Sequence, residues 1–177
     1  MKNRKIKKTG AKFLLRPFKS SDYKILAKKI NDPKIYRFTM NIPYPYHPRD
    51  AKKWLAKVKR YYRIKSPESY NLAIEINDEV AGSIGLSKII PGHKAEMGYW
   101  LAREHWGNGI MSRAAAEMVK LGFRKFGLKK IYAYVFVKNK ASYKVLVKNG
   151  FKKEGLLIQH VKKDGKLEDE YILAKYK

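Results

Sequence analysis

The chain contains no cysteine. That excludes a disulfide framework, a thiolate metal site and a cysteine nucleophile. Acidic residues are scarce as well: 15 Asp and Glu stand against 41 Lys and Arg, a formal net charge of +26 over 177 residues. A field of that sign repels polycations and attracts polyanions. It leaves two readings open: a solvated basic surface, or a surface for nucleic acid, the ribosome or an acidic protein. No apolar run approaches the roughly 18 residues that suggest a membrane span. The N-terminal MKNRKIKKTG lacks the apolar stretch of a secretory signal. His47, His93, His105 and His160 lack metal-ligand spacing, so no metal is expected. A cytoplasmic protein without membrane contact is the expectation.

What is present is a globular composition, 45% hydrophobic, long enough for one domain with a real core. Residues 1–11 read as a basic arm and 12–177 as the domain. FLLRPF (13–18) reads as a short strand, and 20–32 as a helix capped by Ser20 or Ser21. Residues 33–50 carry four prolines and read as irregular, although Tyr36, Phe38, Tyr44 and Tyr46 are unusual for a plain linker. A basic amphipathic helix is expected over 51–65, opening after Asp50. Then follow a hairpin (70–76 and 79–90), a third strand (94–102), a long helix (109–127) closed by Gly127, and a strand (129–137). A helix over 138–149 with Asn139 as N-cap and Gly150 as stop precedes a closing hairpin, 151–161 and 166–176. The order β-α-α-β-β-β-α-β-α-β-β gives an α/β domain on a mostly antiparallel sheet.

In REHWGNGIMSRAAAEM (103–118), Gly107 and Gly109 stand where a helix begins, a place that normally prefers Ser, Thr, Asp or Asn. Glycines let a turn's backbone approach a ligand, and a helix N-terminus offers free N–H groups and partial positive charge. The pattern fits an anion site, most naturally for phosphate, or a tight turn with no ligand. It is neither the Gly-x-x-x-x-Gly-Lys-Ser/Thr loop of nucleoside triphosphatases nor a dinucleotide fingerprint.

AEMGYWLAREHWGNGIMSRAAAEMV and VFVKNKASYKVLVKNGFKKEG resemble the GNAT superfamily of acyl-CoA-dependent N-acetyltransferases, within it the RimJ/RimL type that acetylates protein N-termini. The resemblance runs from about residue 12 to 176, through Ala95-Glu96-Met97-Gly98-Tyr99-Trp100, Trp106-Gly107-Asn108-Gly109, Asn139-x-x-Ser142 and Gly150-Phe151. Pro43-Tyr44-Pro45-Tyr46 and Ala51…Trp54 resemble the front region of the subgroup. It implies a GNAT fold whose central strands splay apart, with acetyl-CoA as co-substrate. Backbone N–H groups from Trp106, Gly107, Asn108, Gly109 and Ile110 would hold the coenzyme's diphosphate. The backbone near Trp100 and Leu101 would pair with the pantetheine, which Asn139 could also reach. One departure stands beside the turn: Glu104 occupies a position where the superfamily often has Gln or Arg, and a carboxylate there weakens diphosphate binding unless it points away.

Amine acetylation needs a base for the amine, a polarised carbonyl and an acid for the leaving thiolate. Glu96 is the candidate base, with a surface carboxylate pairing one of many lysines as the plain alternative. Ser142 is the candidate acid, because the position four residues on, where many superfamily members carry a Tyr, is Leu146. A first-turn Ser bonding its own helix is the alternative. Tyr143 is a further donor candidate, and Lys144 and Lys148 candidates for phosphate contact. His105 reads as structural, and the stretch 36–46 as a wall of the acceptor site or as loop aromatics packed on the core. The resemblance implies a protein N-terminus as acceptor. A small-molecule amine (aminoglycoside or amino acid), or an RNA- or ribosome-binding module on an inactive scaffold, are the alternatives. Nothing in the sequence separates monomer from dimer.

Overall fold

A computed structural model describes residues 11–177, so the expected basic arm lies, apart from Ala11, outside the described residues. In chain order the elements are β1 (Leu14–Arg16), α1 (Tyr23–Ile30), α2 (Pro33–Tyr36), α3 (Pro48–Tyr61), β2 (Ser69–Ile76), β3 (Glu79–Ile90), β4 (Lys94–Leu101), α4 (Ile110–Lys125), β5 (Lys130–Phe136), α5 (Lys140–Lys148), β6 (Lys152–Lys163) and β7 (Lys166–Tyr176). Three local expectations need correction. Neither Ser20 nor Ser21 caps the first helix; both sit in a short 3-10 turn, Ser20–Asp22. The Asp22 carboxylate accepts from Lys19 N at 2.7 Å, and a charged acceptor outcompetes a hydroxyl. Nor is 33–50 wholly irregular. Asp32 Oδ1 accepts from Lys34 N at 2.7 Å and starts the single turn of α2. Helix α3 opens at Pro48, ahead of Asp50, because proline fits the first helical position and Asp50 Oδ2 reaches back to His47 N at 2.8 Å.

The seven strands form one sheet in the order β1-β2-β3-β4-β5-β7-β6. Every pairing is antiparallel except β4 with β5. Alternation sends Met97, Ala95 and Leu101 to one face, where α4 and α5 pack with Ala114, Met118 and Leu146. The opposite face holds Trp100, Ala73 and Val80 against Leu26, Leu55 and Val58 of α1 and α3. Arg16 ties the first strand to both layers. It donates to Asp22 at 2.8 and 3.0 Å and also to Glu75, and these partners raise its pKa.

Burial pushes the phenols of Tyr46, Tyr62 and Tyr99 up to about 12 each. The unfolded chain therefore releases these protons first, near pH 10. Stability from this source is complete below about pH 10 and is lost as pH rises toward 12. Urea midpoints should fall over that interval, and Tyr62→Phe should make the fall shallower.

Candidate active site

Strands β4 and β5 pair over only three residues: Lys94 with Lys130, Ala95 with Ile131, and Glu96 with Tyr132. Beyond Glu96 the strands separate. The stretch Met97–Leu101 stays paired with β3 on its other edge, and Ala133–Phe136 with β7. The edges facing each other across the fork carry backbone donors and acceptors that could accept an extended, amide-bearing ligand as a strand. A cavity of about 670 Å³ fills the fork and reaches from the turn before α4 to the loop after α2.

One end of the cavity is built by the turn before α4. Gly107 and Gly109 have φ of +77° and +69°, left-handed values that disfavour a side chain, and a Cβ at either would meet nothing within 4 Å. The glycines therefore serve the backbone path and leave open space beside it. Trp106 Nε1 donates to Leu101 O at 2.7 Å and ties the turn to the end of β4. The first helical bond of α4 runs from Arg113 N to Gly109 O, so the N–H groups of Ile110, Met111 and Ser112 precede any helical acceptor. No acidic residue sits in that first turn. Free N–H groups, open space and no carboxylate fit a diphosphate. Glu104 is directed elsewhere: it does not line the cavity, and Lys29 Nζ lies 2.5 Å from its Oε1 and holds its pKa below the usual value.

The candidate residues do not all reach the cavity. Trp100, Leu101, Trp106, Gly107, Gly109, Ile110, Asn139, Glu96 and Ser142 line it. Asn108 does not; its Nδ2 folds back within 3.3 Å of Trp106 O and stiffens the turn. The Leu101 carbonyl already accepts from the Trp106 indole, which favours Trp100 and its neighbours for pairing with a ligand. Tyr143 packs on Tyr171, ring centroids 5.5 Å apart, and is absent from the lining, as are Lys144 and Lys148. Placing Tyr143 beside Ser142 in sequence puts it on another side of α5.

Glu96 stands at the base of the fork. Its Oε2 is shielded from solvent and lies 2.8 Å from Lys88 Nζ, without hydrogen-bond geometry. Lys88 arrives there because β3 bulges between Ser87 and Ile90, with Lys88 at φ +50°. Asn139 Oδ1 accepts from Ser142 N at 3.1 Å, so Asn139 caps α5 as expected and aims the Ser142 hydroxyl. Sequence reasoning passed over Tyr99. Its hydroxyl lies 2.8 Å from Ser142 Oγ, making a pair of hydroxyls along the cavity wall. Strand alternation placed Tyr99 on the α5 side, which was the available signal. Glu170 was also missed. It lines the cavity, and its Oε2 lies 2.9 Å from His160 Nδ1 across β6 and β7, a pairing that sequence spacing does not announce.

The stretch 36–46 divides between the two expectations for it. Phe38, Met40, Ile42 and Tyr46 line the cavity as a wall. Tyr36 stacks near Tyr44 and donates to Asp164, while Lys163 Nζ donates to Thr39 O at 2.8 Å. The β6–β7 turn thus holds this wall in place. Among the described residues no cluster of three or more metal-ligating side chains occurs, and no helix is long and apolar enough to cross a membrane.

Residues 12–152 match the family described as Acetyltransferase (GNAT) domain. An uncharacterized N-acetyltransferase, p20, from Bacillus licheniformis is 30% identical over 161 residues, 90% of each chain. The crystal structure of ribosomal-protein-S5-alanine acetyltransferase from Vibrio fischeri superposes with a TM-score of 0.82 at 25% identity, covering 93% of this chain and 92% of that one. Mycobacterium smegmatis RimJ, solved in complex with CoA-disulfide, shares the fold at a TM-score of 0.84 and 22% identity, covering 94% of this chain and 82% of that one.

Proposed function

The chain belongs to the GNAT acetyltransferase family and is an acetyl-CoA-dependent N-acetyltransferase, and we propose that its acceptor is the α-amine at the N-terminus of a protein, ribosomal proteins foremost. The observation that carries this reading is one cavity lined by both a shielded carboxylate, Glu96, and a hydroxyl pair, Ser142 and Tyr99. Bound acetyl-CoA supplies the thioester carbonyl that the amine attacks. Backbone N–H groups of Gly107 through Ser112 hold the diphosphate, and the free edge of β4 at Trp100 orients the arm and polarises the carbonyl. Glu96 takes the proton from the incoming ammonium, directly or through a water. Ser142 gives a proton to the departing thiolate and recovers one from Tyr99, which is protonated at working pH and, because it lines the same cavity, regains its proton from solvent as the products leave.

The α-amine suits this base. Glu96 already shares its charge with Lys88, which leaves less of it for a second cation. At an ordinary pKa of about 8, roughly one α-amine in ten is neutral at pH 7, against fewer than one in a thousand for a lysine or polyamine near 10.4. The net charge of +26 also disfavours a free polycation and favours an acceptor displayed on a polyanion. Those conditions support cytoplasmic work near the ribosome. Mass spectrometry of a Ser- or Ala-initiated peptide containing an internal lysine tests the reading. One acetyl on the α-nitrogen is expected; acetyl on the lysine, or transfer to small amines alone, would contradict it.

A small polyamino acceptor is the second reading, favoured by Glu170, a second carboxylate lining the cavity, which could receive a second ammonium. The same assay with an aminoglycoside separates the two.

Ser142→Ala should lower kcat about tenfold, and Tyr99→Phe less. The double variant should be no slower than Ser142→Ala, because the two hydroxyls act as one relay. Multiplying losses would mean that Tyr99 acts independently.

A further inference from the structure

Helix α3 carries a row of charge that takes no part in lining the cavity. At 100° per residue, Arg49, Lys52, Lys53, Lys57, Lys59 and Arg60 fall within about 160° of arc, opposite the buried Leu55, Val58 and Tyr61. Arg63 continues the line just past the helix end. On this face Arg49 precedes Lys52 and Lys53, and Lys57 follows Lys53 and precedes Arg60, like charges at three- and four-residue spacing that repel one another. The carboxylates on α3, on the turn packed against it and just beyond its end are engaged elsewhere. Asp50 receives His47 N, Asp22 is held by Arg16, and Glu68 accepts from Tyr61.

Part of this face is concave. A hollow of about 530 Å³ is lined by Lys52, Lys59, Arg60 and Arg63, with Tyr23 from the start of α1 and Ser20 from the 3-10 turn before it, and shares no residue with the catalytic cavity. Lys52 Nζ rests 4.6 Å from the centroid of the Tyr23 ring, and Lys59 donates to Ser20 Oγ. Two cations are thereby steadied at the rim. From Lys52 to Arg63 the cations span roughly 16 Å at 1.5 Å per helical residue.

We propose that this face of α1 and α3 is a docking site for the phosphate backbone of RNA, separate from the acetylation cavity. Protein–protein interfaces are poor in lysine and need buried aromatic anchors. This hollow sets lysines and arginines around Leu55, Ala56 and the Tyr23 ring, and that ring is already covered by Lys52. Nucleic-acid interfaces are far more positive, and a phosphate chain meets a row of cations without needing a matching apolar socket. An enzyme docked on ribosomal RNA would meet its acceptors at high local concentration. That purpose rests on the ribosomal acceptor proposed above, but RNA binding is read without acetyl transfer, so the two can fail separately.

The test uses the full chain and a fluorescent 20-base-pair RNA hairpin, with anisotropy measured over a salt series. The variant is Lys52→Glu/Lys59→Glu/Arg63→Glu. A charge-matched control, Arg124→Glu/Lys129→Glu/Lys177→Glu, lies elsewhere on the surface. The α3 variant should bind at least tenfold more weakly at about 150 mM salt, with a salt slope shallower by about 2, since each phosphate contact contributes roughly 0.7 to 0.9. Its kcat/KM on a short peptide should stay within twofold, which shows that it folds. Equal losses in the control would overturn the proposal, because net charge alone would explain them. So would hairpin binding within threefold of the parent, including a case where only binding to an acidic peptide is lost.

Discussion

Replacing Glu96 by Gln is expected to lower kcat/KM on an N-terminal peptide about a hundredfold or more at neutral pH. The substitution keeps size and shape and removes only the base. Stability should barely change, because the partner, Lys88, is 69% exposed and such a pair contributes little. The diagnostic is the pH dependence. In the variant the amine must shed its proton unaided, and an α-amine does so near pH 8. The deficit should therefore be largest near pH 6.5 and shrink to tenfold or less by about pH 9.5. A Glu96 that only braced the fork would leave a deficit independent of pH. Initial rates of thiol release at both pH values, with coenzyme saturating, decide between these outcomes.

The second large effect is expected at the turn. Gly109→Val should weaken acetyl-CoA binding about a hundredfold or more while the domain still folds. The substitution forces a β-branched residue to φ +69° and puts methyl groups in the open space where a diphosphate would lie. Beyond the two adjoining residues no atom lies within 4 Å of the new Cβ, so the folding cost is mainly backbone strain of about 1–2 kcal/mol. That corresponds to a fall in Tm of roughly 2–8 °C for a domain of this size. Binding loss with a retained melting transition would separate the coenzyme role from a structural one. Retained binding would make the glycines turn residues only.

The order of strands and helices was legible because each element carries its own signal: period, cap or stop. Asn139 as cap and Gly127 and Gly150 as stops are local chemistry, and all appear where the sequence puts them. The glycine turn was legible for the same reason. What escaped was made by long-range approach. Tyr99 meets Ser142 across 43 residues, and Lys163 meets Thr39 across 124. Strand alternation gives a face but no partner, so the hydroxyl pair and the bracing of the 36–46 wall needed the assembled sheet. The start of α3 was misread because Asp50 looks like an N-cap, yet it works from the third helical position behind Pro48. The pairing of Glu170 with His160 depends on the register of β6 and β7, which slips between Leu157 and Val161.

The most direct measurement is calorimetric titration of the protein with acetyl-CoA at moderate salt, with ATP as a control polyanion. Saturable one-to-one binding of acetyl-CoA, at least a hundredfold tighter than ATP and only weakly salt-dependent, is expected if the turn and the fork together hold the coenzyme. Equal, weak binding of both ligands that fades with salt would contradict it, and would mean that the net charge of +26 is all that the titration senses.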